Sequence, residues 1–351
     1  MNPLNRIKIS GYRSIKNSEL ELSDINILIG GNGAGKSNLL SFFEMLLAMK
    51  NYGLQQYVAR QGGANLLLYN GNKETKGIKF SLNFENCRFE AYMGTRSGDQ
   101  LYFSQQTLYC EEPKEIYHTA VSFEELRENE GIQKEGVLDK MGVYHFHDTS
   151  MTSPIKNMCQ IHDNIELAAD GHNIAAILYR IKETNRPTYD RIIKTIRLAA
   201  PYFQDFILRP NPFNPQTIRL EWKKWGCEIP FNADQFSDGS LRFICLVILL
   251  SLPSELRKPI IFIDEPELGL HPLALTLISE LMKKYSIHGQ VISATQAAGL
   301  IDEFQAKDVI IAENKDGAST FHRLKEEELH YWLEDYSLGE LWKKNVLGGR
   351  P

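Results

Sequence analysis

The sequence predicts an α/β fold: a mixed β lobe plus a parallel core sheet with helices on both faces, with a helical insertion between them. Three observations predict it. The apolar run Ile25-Asn26-Ile27-Leu28-Ile29 leads directly into a glycine-rich loop and then a helical pattern. Pro259-Ile260-Ile261-Phe262-Ile263 is almost wholly apolar, as a strand covered on both faces requires. Gln290-Val291-Ile292-Ser293-Ala294 and Asp308-Val309-Ile310-Ile311-Ala312 read as its neighbours, with helical patterns at 273–285 and 325–332 separating or following them.

The elements follow in order. Ile7-Lys8-Ile9-Ser10 and Ser18-Glu19-Leu20-Glu21-Leu22 alternate apolar and polar, the period of half-buried strands, around Gly11-Tyr12-Arg13-Ser14-Ile15. Leu39, Leu40, Phe42, Phe43, Leu46 and Leu47 then give a broad apolar helical face. Further strands are predicted at 78–84, 88–93 and 101–108. From about Cys110 to Leu198 the character changes. Glu111-Glu112-Pro113-Lys114-Glu115 and 123–131 are charged, and 164–197 looks largely helical, punctuated by Arg186-Pro187. This stretch is too short, and lacks the sustained heptads, for a long coiled coil. The expected organisation is an N-terminal lobe over 1–110, a mainly helical insertion or arm over 111–198, and a C-terminal lobe over 199–351.

Composition bounds the function. With 351 residues, 43% hydrophobic and 24% charged, the chain is globular, not fibrous or low-complexity. A net charge of -5 gives no global attraction for polyanions, so a nucleic-acid contact needs a local basic patch. Cys87, Cys110, Cys159, Cys227 and Cys245 form no C-x-x-C pair, and they read as reduced, mostly buried thiols of a cytosolic protein. No run approaches the roughly 18 apolar residues that span a bilayer. Met1-Asn2-Pro3-Leu4-Asn5-Arg6 lacks an apolar signal core. A soluble, cytoplasmic protein without a membrane contact is expected.

Three motifs carry chemistry. Gly30-Gly31-Asn32-Gly33-Ala34-Gly35-Lys36-Ser37 spells G-x-x-x-x-G-K-[ST] at the junction of strand and helix. There the backbone N–H groups wrap phosphates and the helix presents its positive dipole end. Asn32, Gly33, Ala34, Gly35, Lys36, Ser37 and Asn38 are the expected nucleotide-binding residues. Lys36 reaches the β/γ-phosphates and serves catalysis, and Ser37 holds Mg²⁺ through its hydroxyl. A chance glycine-rich turn is the competing reading, and the strand–helix setting argues against it. Next, the strand ending Ile263-Asp264-Glu265 delivers two carboxylates at its C-terminal edge. Asp264 is placed to help hold Mg²⁺, and Glu265 to orient and deprotonate the water that attacks the γ-phosphate. A charged strand-to-loop turn is the alternative. Finally, Phe236-Ser237-Asp238-Gly239-Ser240 opens an apolar helix with a hydroxyl and a dipole end, which alone is also an ordinary N-cap.

These motifs, in this order, resemble the ABC-type ATPase heads of the RecF/SMC/OLD group. The opening Ile7-Lys8-Ile9-Ser10-Gly11-Tyr12-Arg13-Ser14-Ile15 is similar to that group's start and unlike transporter ATPases. Tyr336-Ser337-Leu338-Gly339-Glu340-Leu341-Trp342 with Gly348-Gly349-Arg350-Pro351 is similar to its short stand-alone bacterial members, which lack a coiled coil and a TOPRIM domain. The resemblance explains both ends of the chain and least of all the insertion. It implies an ABC/SMC-head-like P-loop ATPase fold, ATP and Mg²⁺ as cofactors, and a homodimer closed around ATP. Ser237 and Gly239 occupy signature positions, which in such proteins reach the γ-phosphate of a second subunit's ATP, although Asp238 and Ser240 depart from the common Leu-Ser-Gly-Gly-Gln form. Leu268-Gly269-Leu270-His271-Pro272 looks like the loop at the dimer seam. Gln296 stands where many relatives carry a γ-phosphate-sensing histidine. A glutamine bonds phosphate or water but does not become a cation near neutral pH, so slow or partner-dependent hydrolysis is expected. Gln61, before Gly62-Gly63, is the candidate lobe-bridging ligand of Mg²⁺ or water; a polar loop residue is the equal alternative. Arg13 is either a nucleotide contact or a surface arginine on a turn.

Other features are set aside. His145-Phe146-His147-Asp148 places two imidazoles on one side of an extended segment. With no Cys or acidic partner at a ligand spacing, the pair reads as a structural cluster or arm contact and not as metal ligands. Lys223-Lys224-Trp225 and Lys283-Lys284-Tyr285 read as solvated faces before nucleic-acid touchpoints. Trp332 and Trp342 read as packing or partner residues. The expected function is an ATP-dependent switch that regulates a separate nuclease or toxin effector in anti-phage defence or a DNA-associated process. Nucleic acid is a further candidate partner, and assembly beyond the dimer is left open. A DNA-repair ATPase and a transporter ATPase subunit are the alternatives.

Overall fold

The computed structural model describes residues 3–50, 53–110, 115–119 and 136–349. The charged stretch 123–131, most of Glu111-Glu112-Pro113-Lys114-Glu115, and Arg350-Pro351 therefore lie outside the described residues. The chain forms two compact units: Met1–Val143 with Lys258–Phe262 and His288–Pro351, and Tyr144–Arg257 with Ile263–Ile287.

One sheet of the first unit is antiparallel, in the order Ile15–Glu21, Leu4–Tyr12, Gly77–Phe84, Cys87–Arg96, Gln100–Cys110, Glu115–Thr119. Its register follows from alternation. Ile7 pairs with Leu20 on one side and Leu82 on the other, and all three are buried. Arg6 and Lys8, one position away on the opposite face, pair instead with Glu19 and Glu21. This is the division a one-sided sheet imposes. The strands extend a few residues beyond the predicted 78–84, 88–93 and 101–108.

A second sheet has the order Ala318–Arg323, Val309–Lys315, Ile25–Ile29, Gln290–Thr295, Ile260–Asp264, Met141–Tyr144. Ile25–Ile29 runs parallel to both neighbours, with Ile29 paired to Thr295 and to Ile311. Ile27, Leu28 and Ile29 are fully buried, which accounts for the unbroken apolar run. Asn26 is tolerated inside that run because its amide donates to the carbonyls of Ser23 (2.6 Å) and Val291 (3.3 Å) and its oxygen accepts from the Ser23 N–H (2.9 Å). Gln290 ties the two sheets: its side chain donates to the carbonyls of Leu4 (3.0 Å) and Ser23 (2.8 Å) and accepts from the Leu4 N–H (3.0 Å). The core sheet is not wholly parallel as expected. Ala318–Arg323 turns back antiparallel through Asp316-Gly317, both in the left-handed region that a two-residue hairpin needs.

Helix Lys36–Lys50 buries Leu39, Leu40, Phe42, Phe43, Met45, Leu46 and Met49 in one core with strands of both sheets. Phe43 stacks on Phe262 at 4.0 Å, and Phe42 meets Tyr12, Phe43 and Phe80 edge-on. A helix apolar on nearly every side needs such cover.

The second unit contains Ile174–Thr184, Arg186–Ala199, Asp238–Leu250 and Pro272–Ser286, with one small antiparallel sheet of the strands Phe203–Ile207, Glu221–Lys224 and Phe231–Asn232. The helical stretch predicted from 164 begins at Ile174 and breaks where Asn185 caps the next helix by accepting from the Thr188 N–H, ahead of Pro187 in the first turn.

One cysteine expectation is corrected. Cys87 and Cys110 are directly opposite in the antiparallel register and form a disulfide, with Cα atoms 4.2 Å apart. Cys159, Cys227 and Cys245 are free. Among the described residues, no helix is long and apolar enough to cross a membrane.

Candidate nucleotide site

The glycine loop follows Ile25–Ile29 as predicted, and helix Lys36–Lys50 begins at its lysine. Lys36 is 5% exposed, and its ammonium donates to the loop carbonyls of Gly30 (2.5 Å) and Gly31 (3.1 Å). Gly35 has φ +108°, and a Cβ there would stand 2.1 Å from the Ser319 hydroxyl oxygen. Asn32, Gly33 and Ser37 are exposed, while Ala34 and Gly35 are buried. A loop curled around a buried ammonium, with no room for side chains at its base, fits a polyphosphate.

Behind the loop the structure joins residues that the sequence singled out separately. The Arg13 guanidinium donates to the Gln61 side-chain oxygen at 2.5 Å and to Asn38 at 3.5 Å. Asn38 donates to the Ser14 hydroxyl at 2.6 Å, and Ser14 meets Ser319 at 2.7 Å. Arg13 itself has φ +46°, a conformation a non-glycine residue adopts at some cost, and its N–H is held by the Leu67 carbonyl. Gln296 follows Thr295, the register partner of Ile29, and so lies at the sheet edge where the glycine loop starts.

The second unit carries the acidic and signature residues. Asp264 ends its strand, and Glu265 directly after it has φ +39°. Such an outlier stores strain of about 1–3 kcal/mol and is typical of residues that function holds in place. Ser237 caps helix Asp238–Leu250, accepting from the Ser240 N–H at 3.2 Å, and is itself exposed. Gly239 packs so closely on the loop after Glu265 that a Cβ would lie 2.1 Å from the Gly269 carbonyl oxygen. Ser237, Gly239, Gly269 and His271 line a cavity of about 180 Å³.

Three contacts escaped the sequence. Gly31 N–H donates to the Gly349 carbonyl at 2.6 Å, and Gly349 N–H donates to Glu313 at 3.0 Å, so residues near the end of the chain buttress the glycine loop. His147 Nε2 lies 2.9 Å from the Asp264 carbonyl oxygen.

A buried sheet ending in a glycine loop with an enclosed lysine defines a P-loop nucleotide-binding protein. The profile of the family described as AAA ATPase domain matches residues 3–224, and the chain belongs to that family. A second AAA domain profile, whose description adds the AbiEii toxin and a type IV TA system, matches residues 153–302. The chain is 22% identical to the Old nuclease of Escherichia phage P2 over 87% of its own length, and it spans 58% of that relative. Among solved structures it is similar to an SmcHead bound to the C-winged helix domain of ScpA (TM-score 0.58, 16% identity, 93% of this chain and 99% of the other). A Smc head domain with an extended coiled coil, bound to the C-terminal domain of ScpA derived from Pyrococcus furiosus, gives a TM-score of 0.56 at 14% identity over 95% and 99% of the chains. The fold is that of an SMC-head-like P-loop ATPase, and the expected RecF/SMC/OLD-like class stands.

Proposed function

We propose that this ATPase is a switch that dimerises around Mg²⁺-ATP and transmits closure to a separate effector. The observation that carries this reading is the signature end of helix Asp238–Leu250. Ser237 is exposed at a helix N-terminus, beside a cavity and against the loop that follows Glu265, where a phosphate belonging to a second molecule is well received.

In this reading the loop N–H groups and Lys36 hold the β- and γ-phosphates. Ser37, Asp264 and Gln61 would hold Mg²⁺, which supplies charge neutralisation on those phosphates. The enclosed ammonium and the cramped floor at Gly35 suit such an anion. Glu265 takes the proton of the attacking water, and Gln296 orients that water or the γ-phosphate without adding charge. Arg13 stiffens Gln61 and Asn38 from behind. Residues 111–198 form the arm that responds to closure, flanked by ATPase lobes over 1–110 and 199–351. A cytoplasmic location and a nuclease or toxin as effector, in defence or beside nucleic acid, complete the proposal; the likeness to a phage nuclease and to a toxin–antitoxin description supports the choice of effector.

The test is the solution mass of Glu265→Gln with and without Mg²⁺-ATP. Light scattering should show a shift from 40.1 kDa to about twice that value, and Lys36→Ala should stay at one chain. Equal masses in both conditions would sink the shared-site dimer.

A further inference from the structure

We propose that His145, His147 and Asp264 form a binding site for a divalent cation of the zinc or manganese class. One ligand atom from each residue lies within 4.8 Å of the others, and all three residues are half-buried. The sequence offered the two imidazoles without an acid. The fold supplies one 117 positions beyond His147.

The placement is built. Tyr144 and Phe146 are buried, so alternation sends His145 and His147 to the same opposite face. The His145 N–H donates to the Ala169 carbonyl at 3.0 Å. Arg242 donates to the His147 carbonyl at 2.8 Å, to the Thr149 hydroxyl at 3.2 Å and to the Leu268 carbonyl at 3.3 Å. One guanidinium from the signature helix therefore fixes both the histidine segment, just past the strand Met141–Tyr144, and the loop after Glu265. The His147 ring is oriented by its contact with the Asp264 carbonyl oxygen. Ligands held by outer-shell hydrogen bonds of this kind lose little on binding a metal.

The donor chemistry selects the ion. Two imidazoles and one carboxylate suit zinc, iron, nickel or manganese, whereas Mg²⁺ prefers an all-oxygen set. Bonds of about 2.1 Å place two donors of one ion at most about 4.2 Å apart. In a tetrahedral zinc site the donors stand about 3.4 Å apart, so the widest pair closes by up to about 1.4 Å as the ion enters. Open positions remain for water. The site shares Asp264 with the Mg²⁺ ligand set proposed above, and on that reading its occupancy slows ATP turnover.

The experiment uses the untagged full chain and Co²⁺ as a spectroscopic stand-in, without nucleotide. Wild-type protein should bind one Co²⁺ per chain with visible ligand-field bands, displaced by Zn²⁺. His145→Gln and His147→Gln should each weaken binding about tenfold or more, with unchanged thermal unfolding of the metal-free protein. Lys36→Ala, deficient in ATP, should keep the bands, so a failed nucleotide reading and a failed metal reading are separately visible. Turnover by His147→Gln should lose the zinc sensitivity that wild type shows. Absence of the bands in wild type, or equal Co²⁺ affinity in the His145→Gln/His147→Gln double variant, overturns the site. Zinc that binds without slowing wild-type turnover overturns the shared carboxylate.

Discussion

The two units hold their candidate residues in opposite ways. In the first, the glycine loop is engaged from several directions by its own chain. Lys36 is enclosed by loop carbonyls, Gly31 is tied to Gly349, and a Cβ at Gly30 would lie 2.3 Å from the Ala312 carbonyl oxygen. In the second, Ser237 and Gly269 are exposed, and the helix end they flank opens onto a cavity. A surrounded loop is a preformed cradle, since it orders little more when a phosphate arrives. An exposed helix end meets its phosphate only when something brings one. The difference teaches that one unit carries a preformed loop and the other an open helix end; on the proposed reading, the first keeps a nucleotide and the second meets one presented from outside.

The largest effect that would sharpen this contrast is on chemistry. Glu265→Gln keeps shape and hydrogen bonding but removes the base, so steady-state ATP turnover should fall about a hundred- to ten-thousand-fold while nucleotide affinity holds. Retained turnover would remove Glu265 from the role. Next comes the cradle. Lys36→Ala deletes charged hydrogen bonds worth about 1.5–3 kcal/mol each, and ATP affinity measured by calorimetry should drop about a hundredfold. Undiminished affinity would show that the enclosed ammonium does not serve the nucleotide.

How much of this was legible in the sequence depended on distance along the chain. The glycine loop, the apolar strands 25–29 and 260–263, and helix 36–50 are written in consecutive residues, and local periodicity suffices for them. The hairpin strand Ala318–Arg323 was missed although Asp316-Gly317 is a strong local turn signal. The Cys87–Cys110 bond depends on the register between two long strands, which spacing alone does not reveal. Arg13 and Gln61 were each named on separate grounds, but their mutual bond is a product of tertiary packing. The same holds for the acid that completes the His145–His147 pair. No periodicity connects Asp264 to a strand so far upstream.

A smaller effect is expected at the signature end. Gly239→Ala forces a methyl group onto the Gly269 carbonyl, and the loop 268–272 must give way. Overpacking of this kind costs about 1–3 kcal/mol, read as a lowered Tm. ATP-dependent dimerisation should weaken about tenfold with unchanged affinity of the monomer for ATP. If nucleotide affinity fell in step with dimerisation, the division of labour between the units would be wrong.

The smallest effect probes the buttress on the cradle. The Lys315 ammonium holds the Glu313 carboxyl below the usual glutamate range, and the Gly349 N–H adds to this against a modest burial penalty. A depressed folded pKa means that the stabilising contribution is present above the unfolded value of 4.5 and is lost as pH falls through the folded one. Hydrogen exchange at the Gly31 and Gly349 amides reports on it directly. At neutral pH Glu313→Ala should lower their protection factors a few-fold, as for the loss of one hydrogen bond of about 0.5–1.5 kcal/mol. In acid the wild type should approach the variant, because the protonated carboxyl is a weaker acceptor for Gly349. Protection that is lost at Gly349 but kept at Gly31 would show the glycine loop to be rigid without its C-terminal support, and the cradle to rest on the core sheet alone.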